Sequence, residues 1–259
     1  MCEANQARQA VVRQQLLTDR LLGAEFVPVY PQPPVGQQQP AAEPTQTRPQ
    51  PSDAEVAAKA ERLRQLDEQQ VRDCAKCHLS RSRTRTVFGQ GHASARIVFV
   101  GEAPGFEEDR QGLAFVGRAG ELLTRILENG MGLKREEVFI CNVLKCRPPE
   151  NRTPSADEIA ACSPYLIEQI QIIQPEVIVA LGAPAAQTLL GTRQSIGKLR
   201  GRWHEFYPSG SPMIGPAIPL LATFHPAYLL RSPDQKPKAW EDLKMVMSRL
   251  GLAIPERYR

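Results

Sequence analysis

Arg96-Ile97-Val98-Phe99-Val100-Gly101-Glu102-Ala103-Pro104-Gly105 is an apolar, β-rich run that breaks abruptly into a polar loop. Uninterrupted hydrophobicity without polar alternation suits a strand covered on both faces, as in a parallel sheet. Three more runs of this kind follow, at residues 138–144, 177–181 and 219–224, and helical patterns at 119–128, 155–173, 183–190 and 238–250 alternate with them. Pro154 between Thr153 and Ser155 marks a helix start. The pattern predicts an α/β fold: three layers, α/β/α, around a central, mainly parallel four-stranded sheet. In such folds ligands bind outside the carboxyl ends of the strands, so the loops after those runs hold the candidate chemistry.

Outward from this core, residues 54–71 are rich in helix formers and lead into a cysteine pair. Residues 1–53 contain a weakly periodic stretch at 6–22, then Pro31, Pro33, Pro34, Pro40, Pro44, Pro49 and Pro51 among many glutamines. That composition cannot bury a core and predicts a disordered tail, with the globular domain at 54–259. The chain has 259 residues, 42% of them hydrophobic, and a net charge of +4. One sizeable domain is expected, and so mild a positive charge neither requires nor excludes nucleic acid. The polar start lacks a secretory apolar segment, and no run approaches a membrane span. A cytoplasmic protein with reduced thiols is expected.

Four constellations follow strand ends. In the first loop, a dinucleotide fingerprint would need glycine at 103 and 106, where Ala103 and Phe106 stand, so a nicotinamide or flavin cofactor is not expected. Proline between Ala103 and Gly105 instead fixes a tight turn that aims Glu102 into the strand-end crevice. Glu107, Glu108 and Asp109 are expected to form a solvated acidic face. In the second, Phe115 precedes the glycine-flanked start Gly117-Arg118-Ala119-Gly120, where an aromatic ring serves either the core or a planar ligand. In the third, Asn142 presents a donor and an acceptor side by side, the complement of a pyrimidine edge, or else a turn residue. Lys145, Arg147 and Arg152 surround it with charge. In the fourth, His225, fixed by Pro226, is placed to donate to developing negative charge, and Leu229, Leu230 and Arg231 to wedge into a duplex.

Cys74 and Cys77 form a close pair, Cys146 and Cys162 a looser one; Cys2 and Cys141 have the character of bystanders. Four thiolates in two pairs suit one tetrahedral zinc or one iron–sulfur cluster, and spacing alone allows both. Arg81, Arg83 and Arg85, and separately Lys198, Arg200 and Arg202, form basic clusters suited to a phosphate backbone or to plain solvation.

The ordered motifs Gly101-Glu102-Ala103-Pro104-Gly105, Phe115-Val116-Gly117-Arg118-Ala119-Gly120, Asn142-Val143-Leu144-Lys145-Cys146-Arg147-Pro148-Pro149 and His225-Pro226-Ala227 together resemble the family-4 uracil-DNA glycosylases. The resemblance runs from about residue 54 to the C-terminus. It implies a monofunctional repair enzyme that removes uracil from single- or double-stranded DNA and leaves an abasic site. It further implies a four-iron four-sulfur cluster on Cys74, Cys77, Cys146 and Cys162, with Phe115 stacking on the flipped base and Asn142 reading its edge. Glu102 would activate water, helped by Asn151; His225 would stabilise the departing uracil; Ala103 and Gly105 would line the pocket with backbone. Arg231, Leu229 and Arg200 are the expected DNA contacts. A related family traps the abasic sugar with a histidine between the third and fourth cysteines; none lies between Cys146 and Cys162, so turnover is expected. A monomer is expected, because DNA access must stay open. The rivals are a non-catalytic DNA-binding module with a structural metal and an iron–sulfur electron carrier.

Overall fold

The computed structural model describes residues 51–256. The tail at 1–53, with its expected disorder and any partner it tethers, falls almost entirely outside the described residues. Ser52 caps the first helix, α1 (Asp53–Leu66), through a reciprocal capping box: its hydroxyl accepts from the Glu55 amide, and the Glu55 carboxylate accepts from the Ser52 amide at 2.8 Å. The helix winds into a wider turn at Asp67–Val71. Leu63, Leu66 and Val71 bury its inner face.

Among the described residues the sheet has six strands: β1 (Gln90–Gly91), β2 (Ile97–Gly101), β3 (Phe139–Asn142), β4 (Val177–Leu181), β5 (Trp203–Phe206) and β6 (Ile218–Thr223). Their spatial order is β1-β3-β2-β4-β6-β5. The four expected strands form its parallel centre, β3-β2-β4-β6. The expectation of four strands is corrected at both edges, where β1 and β5 pair antiparallel. Neither carried a readable pattern. β1 is two residues long, and its Gly91 passes so close to β3 that a Cβ would stand 1.8 Å from the Val138 carbonyl oxygen. β5 mixes polar and apolar residues because an edge strand is only half covered.

The helices are α2 (Phe106–Gln111), α3 (Arg118–Arg125), α4 (Ala156–Ile173), α5 (Ala183–Leu190), α6 (Ile196–Leu199), α7 (Pro226–Arg231) and α8 (Lys236–Leu250). Alternation along β2 sorts them into layers: Val98 and Val100 face a core with α1, α4 and α5, whereas Ile97 and Phe99 face a core with α3 and α8. This is the expected three-layer α/β/α architecture. Every residue of β2, β3 and β4 is buried, so the near-continuous apolar runs were the mark of a sheet covered on both sides. The parallel strands end together at Gly101, Asn142, Leu181 and Thr223, and the loops that follow meet along one edge.

Candidate active site and cysteine centre

Gly101 and Asn142 are register partners at the ends of β2 and β3. A Cβ on Gly101 would lie 2.3 Å from Asn142 Oδ1 and 2.6 Å from Phe115 Cζ, so the missing side chain is what lets the amide and the ring share the space above the strand ends. Phe115 is itself held unusually. Its φ is +53°, rare for a bulky residue, and its carbonyl oxygen occupies the place of a side chain on Gly120, at 1.8 Å from a Cβ there. The ring is 5% exposed and lies 5.6 Å from the His225 ring, centroid to centroid. Asn142 Oδ1 is buried without a hydrogen-bond partner among the described residues. A buried acceptor left unpaired costs about 1–3 kcal/mol unless a ligand supplies the donor.

His225 caps α7. Its Nδ1 accepts from the Ala227 amide at 3.1 Å, so the neutral ring carries its proton on Nε2. Burial, aided by the Arg231 charge and opposed by Glu108, pulls the imidazole down to about 4. The ring is therefore a neutral donor at physiological pH. Gly182, at φ +92°, closes against its Cβ from the end of β4. Glu102 is half-buried, and burial pushes its carboxyl above the usual carboxylate range. Ala103 and Gly105 are half-buried in the same loop. Asn151 is exposed in a loop where Glu150 and Asn151 both take positive φ, at +53° and +54°, and its Oδ1 accepts from Arg147 Nε at 2.7 Å.

The acidic run after Gly105 is not the solvated face expected. Glu108 Oε1 accepts from the Val116 and Gly117 amides at 2.9 and 3.0 Å, fixing the turn that carries Phe115. Asp109 is 4% exposed and accepts from the Thr84 amide at 2.9 Å. A signal for Glu108 was present: α3 is capped by Gly117, which has no side chain, so the amides at its start need an acceptor from elsewhere. Only Glu107 behaves as expected, pairing with Arg110 at the surface.

Cys74, Cys77, Cys146 and Cys162 line one cavity with Val71, Arg83, Lys145 and Tyr165. Donors point at the sulfurs: Arg83 Nη1 at 3.2 Å from Cys146, the Lys145 amide at 3.2 Å from Cys162 and the Tyr165 hydroxyl at 3.3 Å from Cys74. Burial pushes the Cys146 thiol up to about 11 and raises Cys162 as well. Among the described residues no group of three His, Cys, Asp or Glu side chains is placed to hold a metal ion as the chain stands. Cys141 is buried within β3, away from this cavity's lining.

Several cations read as plain surface charge have partners within the fold. Arg83 turns inward to the Cys74 carbonyl at 2.7 Å. Lys145 is 1% exposed; its Nζ donates to the Asn142 carbonyl at 2.8 Å and to Gln169 at 2.6 Å, and burial lowers its affinity for the proton. Arg152 grips the buried Glu158, whose carboxyl it holds at about 2. Two expected DNA contacts are corrected. Arg200 is bound bidentately to Asp242, at 2.8 and 3.0 Å, and to the Lys238 carbonyl, so its charge is spent within the fold. Leu229 is 2% exposed and packs with Leu122 and Ala239, so it cannot wedge into a duplex. Alternate faces of α7 explain this: Tyr228 and Arg231 are outward, Leu229 inward. Arg81, Arg85, Lys198 and Arg202 remain exposed.

The sequence has counterparts among known proteins. A family model described as the uracil DNA glycosylase superfamily matches residues 88–244, and the chain belongs to that superfamily. A type-4 uracil-DNA glycosylase of Thermotoga maritima is 49% identical over 173 residues, covering 66% of this chain and 85% of that protein. Another, of Saccharolobus solfataricus, is 44% identical over 186 residues, covering 70% and 84%. A third, of Archaeoglobus fulgidus, is 40% identical over 190 residues, covering 72% and 92%. The type-4 resemblance carried by the motifs is borne out by these relatives.

Proposed function

We propose that this protein is a uracil-DNA glycosylase of the type-4 class, which hydrolyses the N-glycosidic bond of uracil in DNA and leaves an abasic site. The observation that carries the reading in detail is the buried, unpartnered Asn142 Oδ1, set against the Phe115 ring at a strand end. Uracil presents an N3–H donor beside an O4 acceptor, and one amide satisfies both. Cytosine presents an N3 acceptor and an amino donor, which would leave buried polar atoms unpaired on both sides. The target must leave the duplex to reach this site, at a cost of roughly a few kcal/mol that is least for mispaired or single-stranded bases.

Bond cleavage separates charge. The sugar moves towards an oxocarbenium ion while the base takes the electron pair. His225, with its proton on Nε2, stabilises the anion on the base by donation without proton transfer. Glu102, as the carboxylate, orients and deprotonates water for attack on the sugar, with Asn151 assisting from the loop after β3. Phe115 stacks on the base, and the backbone of Ala103 and Gly105 closes the pocket. Arg231 at the end of α7 meets phosphate.

The cysteine cavity fits a four-iron four-sulfur cluster held by Cys74, Cys77, Cys146 and Cys162. The donor set is all sulfur, and N–H and O–H groups point at three of the four sulfurs, the outer contacts that tune such centres. Spacing alone also allows a single zinc on the same four thiols, and the type-4 resemblance is what favours the cluster. When bound, the cluster supplies structural cross-linking here and no chemistry at the glycosidic bond. The domain is assigned to residues 54–259 with the tail apart from it, and the enzyme is taken to act as a cytoplasmic monomer. Among the described residues no helix is long and apolar enough to cross a membrane.

The test is alkali-dependent cleavage of an oligonucleotide carrying one uracil, with a cytosine control, by cluster-loaded protein. Cleavage at uracil alone, reduced at least 100-fold by Asn142→Ala with the fold intact, is expected. Unchanged cleavage in that variant would overturn the assignment of Asn142; none by the parent protein would favour the binding-module reading.

A further inference from the structure

Phe106 follows Gly105 directly, as the first residue of α2, and is 58% exposed. Phenylalanine is usually interior, and this one belongs to none of the three core clusters. The Arg147 guanidinium stands 5.1 Å from its ring centroid, and Arg147 Nε is anchored on Asn151 Oδ1 at 2.7 Å. Because β2 and β3 are parallel neighbours with Gly101 opposite Asn142, the loops carrying Phe106 and Arg147 leave the sheet side by side, at the crevice that holds Asn142 and Phe115. Folding gains nothing from leaving an aromatic ring in water. A flat apolar face with a cation against it matches a nucleotide, with ring for base and guanidinium for phosphate.

We propose that Phe106 and Arg147 form a stacking platform for the unpaired base immediately next to the target uracil on the same strand. The inference rests on the excision reading above. It names a second base contact outside the uracil pocket, and it predicts that single-stranded DNA gains more from this ring than duplex, whose neighbouring base is already stacked and paired.

The test uses single strands carrying 2-aminopurine on one side or the other of a 2′-fluorinated deoxyuridine, whose glycosidic bond resists hydrolysis. For one of the two positions, binding to the parent protein should change 2-aminopurine emission at least twofold. Phe106→Ala should abolish that change and Phe106→Tyr retain it. On cleavable single strands Phe106→Ala should raise KM about five- to tenfold, as expected for loss of one base–aromatic stack, with the loss falling on KM rather than kcat. Emission changes equal in the parent and Phe106→Ala proteins, or at neither position, would overturn the platform. Failure of the parent protein to excise uracil would instead remove the reading beneath it, and the fluorescence would still report whether the ring stacks on a base.

Discussion

Gly101→Ala tests the geometry of the site more sharply than removing any of its functional side chains. The added Cβ would meet Asn142 Oδ1 at 2.3 Å and two Phe115 ring carbons at 2.6 and 2.8 Å. To regain ordinary contact the amide must retreat by about 1 Å and the ring by somewhat less, because the backbone of β2 between β3 and β4 cannot yield. Displacing a binding group by about 1 Å costs on the order of 100-fold in rate. Overpacking itself should cost about 1–3 kcal/mol of stability. Gly117→Ala is the control, since its Cβ would meet nothing closer than 3.5 Å and its φ is −77°. Single-turnover excision from a uracil-containing strand, with thermal melting in parallel, separates the two effects. The expectation is a folded Gly101→Ala protein about 100-fold slower at saturating DNA, and a Gly117→Ala protein within about threefold of the parent. A folded Gly101→Ala protein that excises at the parent rate would refute the claim that Asn142 and Phe115 act from these positions.

Acid should act on this enzyme twice. In the proposed role Glu102 works as a carboxylate, and burial raises its pKa, so the rate should fall as pH drops through that raised value, and Glu102→Gln should be slow with this limb removed. His225 binds its proton at about 4 when folded and near 6.5 when unfolded; the unfolded chain thus takes up the extra proton between those values, and stability should fall on acidification through that window, by at most about 3 kcal/mol, with His225→Asn flattening the slope in chemical denaturation. Leu229→Ala should cost about 2 kcal/mol of stability, whereas Arg231→Ala should leave stability unchanged and reduce the salt slope of DNA binding by about one; the opposite pattern would restore Leu229 as a DNA contact. Arg83→Met removes a donor to Cys146 Sγ, so if the proposed cluster is bound its reduction potential should become more negative while iron content persists; an unmoved potential would mean the contact does not tune it.

What the sequence disclosed and what it withheld follow from two different kinds of physics. Strands buried on both faces must be apolar throughout, so β2, β3, β4 and β6 were legible, as were the long helices and the start of α4 at Ser155. The edges were not, because β1 and β5 are defined by pairing partners and carry little pattern of their own. The residue types of Glu102, Asn142 and His225 announced candidate chemistry because polar groups at strand ends have few structural reasons to be there. Side-chain direction was illegible. Nothing in the composition of Lys198-Leu199-Arg200-Gly201-Arg202 distinguishes the exposed Lys198 and Arg202 from Arg200, which is committed to a buried aspartate on α8. Glu108 and Asp109 likewise looked like their neighbour Glu107, and only the demand of unpartnered amides in other loops separates them.

Asn142 and Cys146 are four residues apart, and that spacing ties the amide proposed to read the base to the cysteine cavity. Lys145 makes the tie physical: its amide donates to Cys162 Sγ, its ammonium to the Asn142 carbonyl. A buried ammonium is expensive unless negative charge lies close by, and here thiolates at Cys146 and Cys162 would add to the charge of the Asp67 carboxylate. The same thiols, buried and without metal, resist ionisation, as the value of about 11 at Cys146 states. Lys145 and the cysteines therefore stabilise one another most when the thiols are ionised, the state that the proposed cluster would impose. If the proposed cluster occupies this cavity, the charge it fixes would hold Lys145, and through it the carbonyl of Asn142, so a centre that performs no step at the sugar would still bear on the residue proposed to read the base.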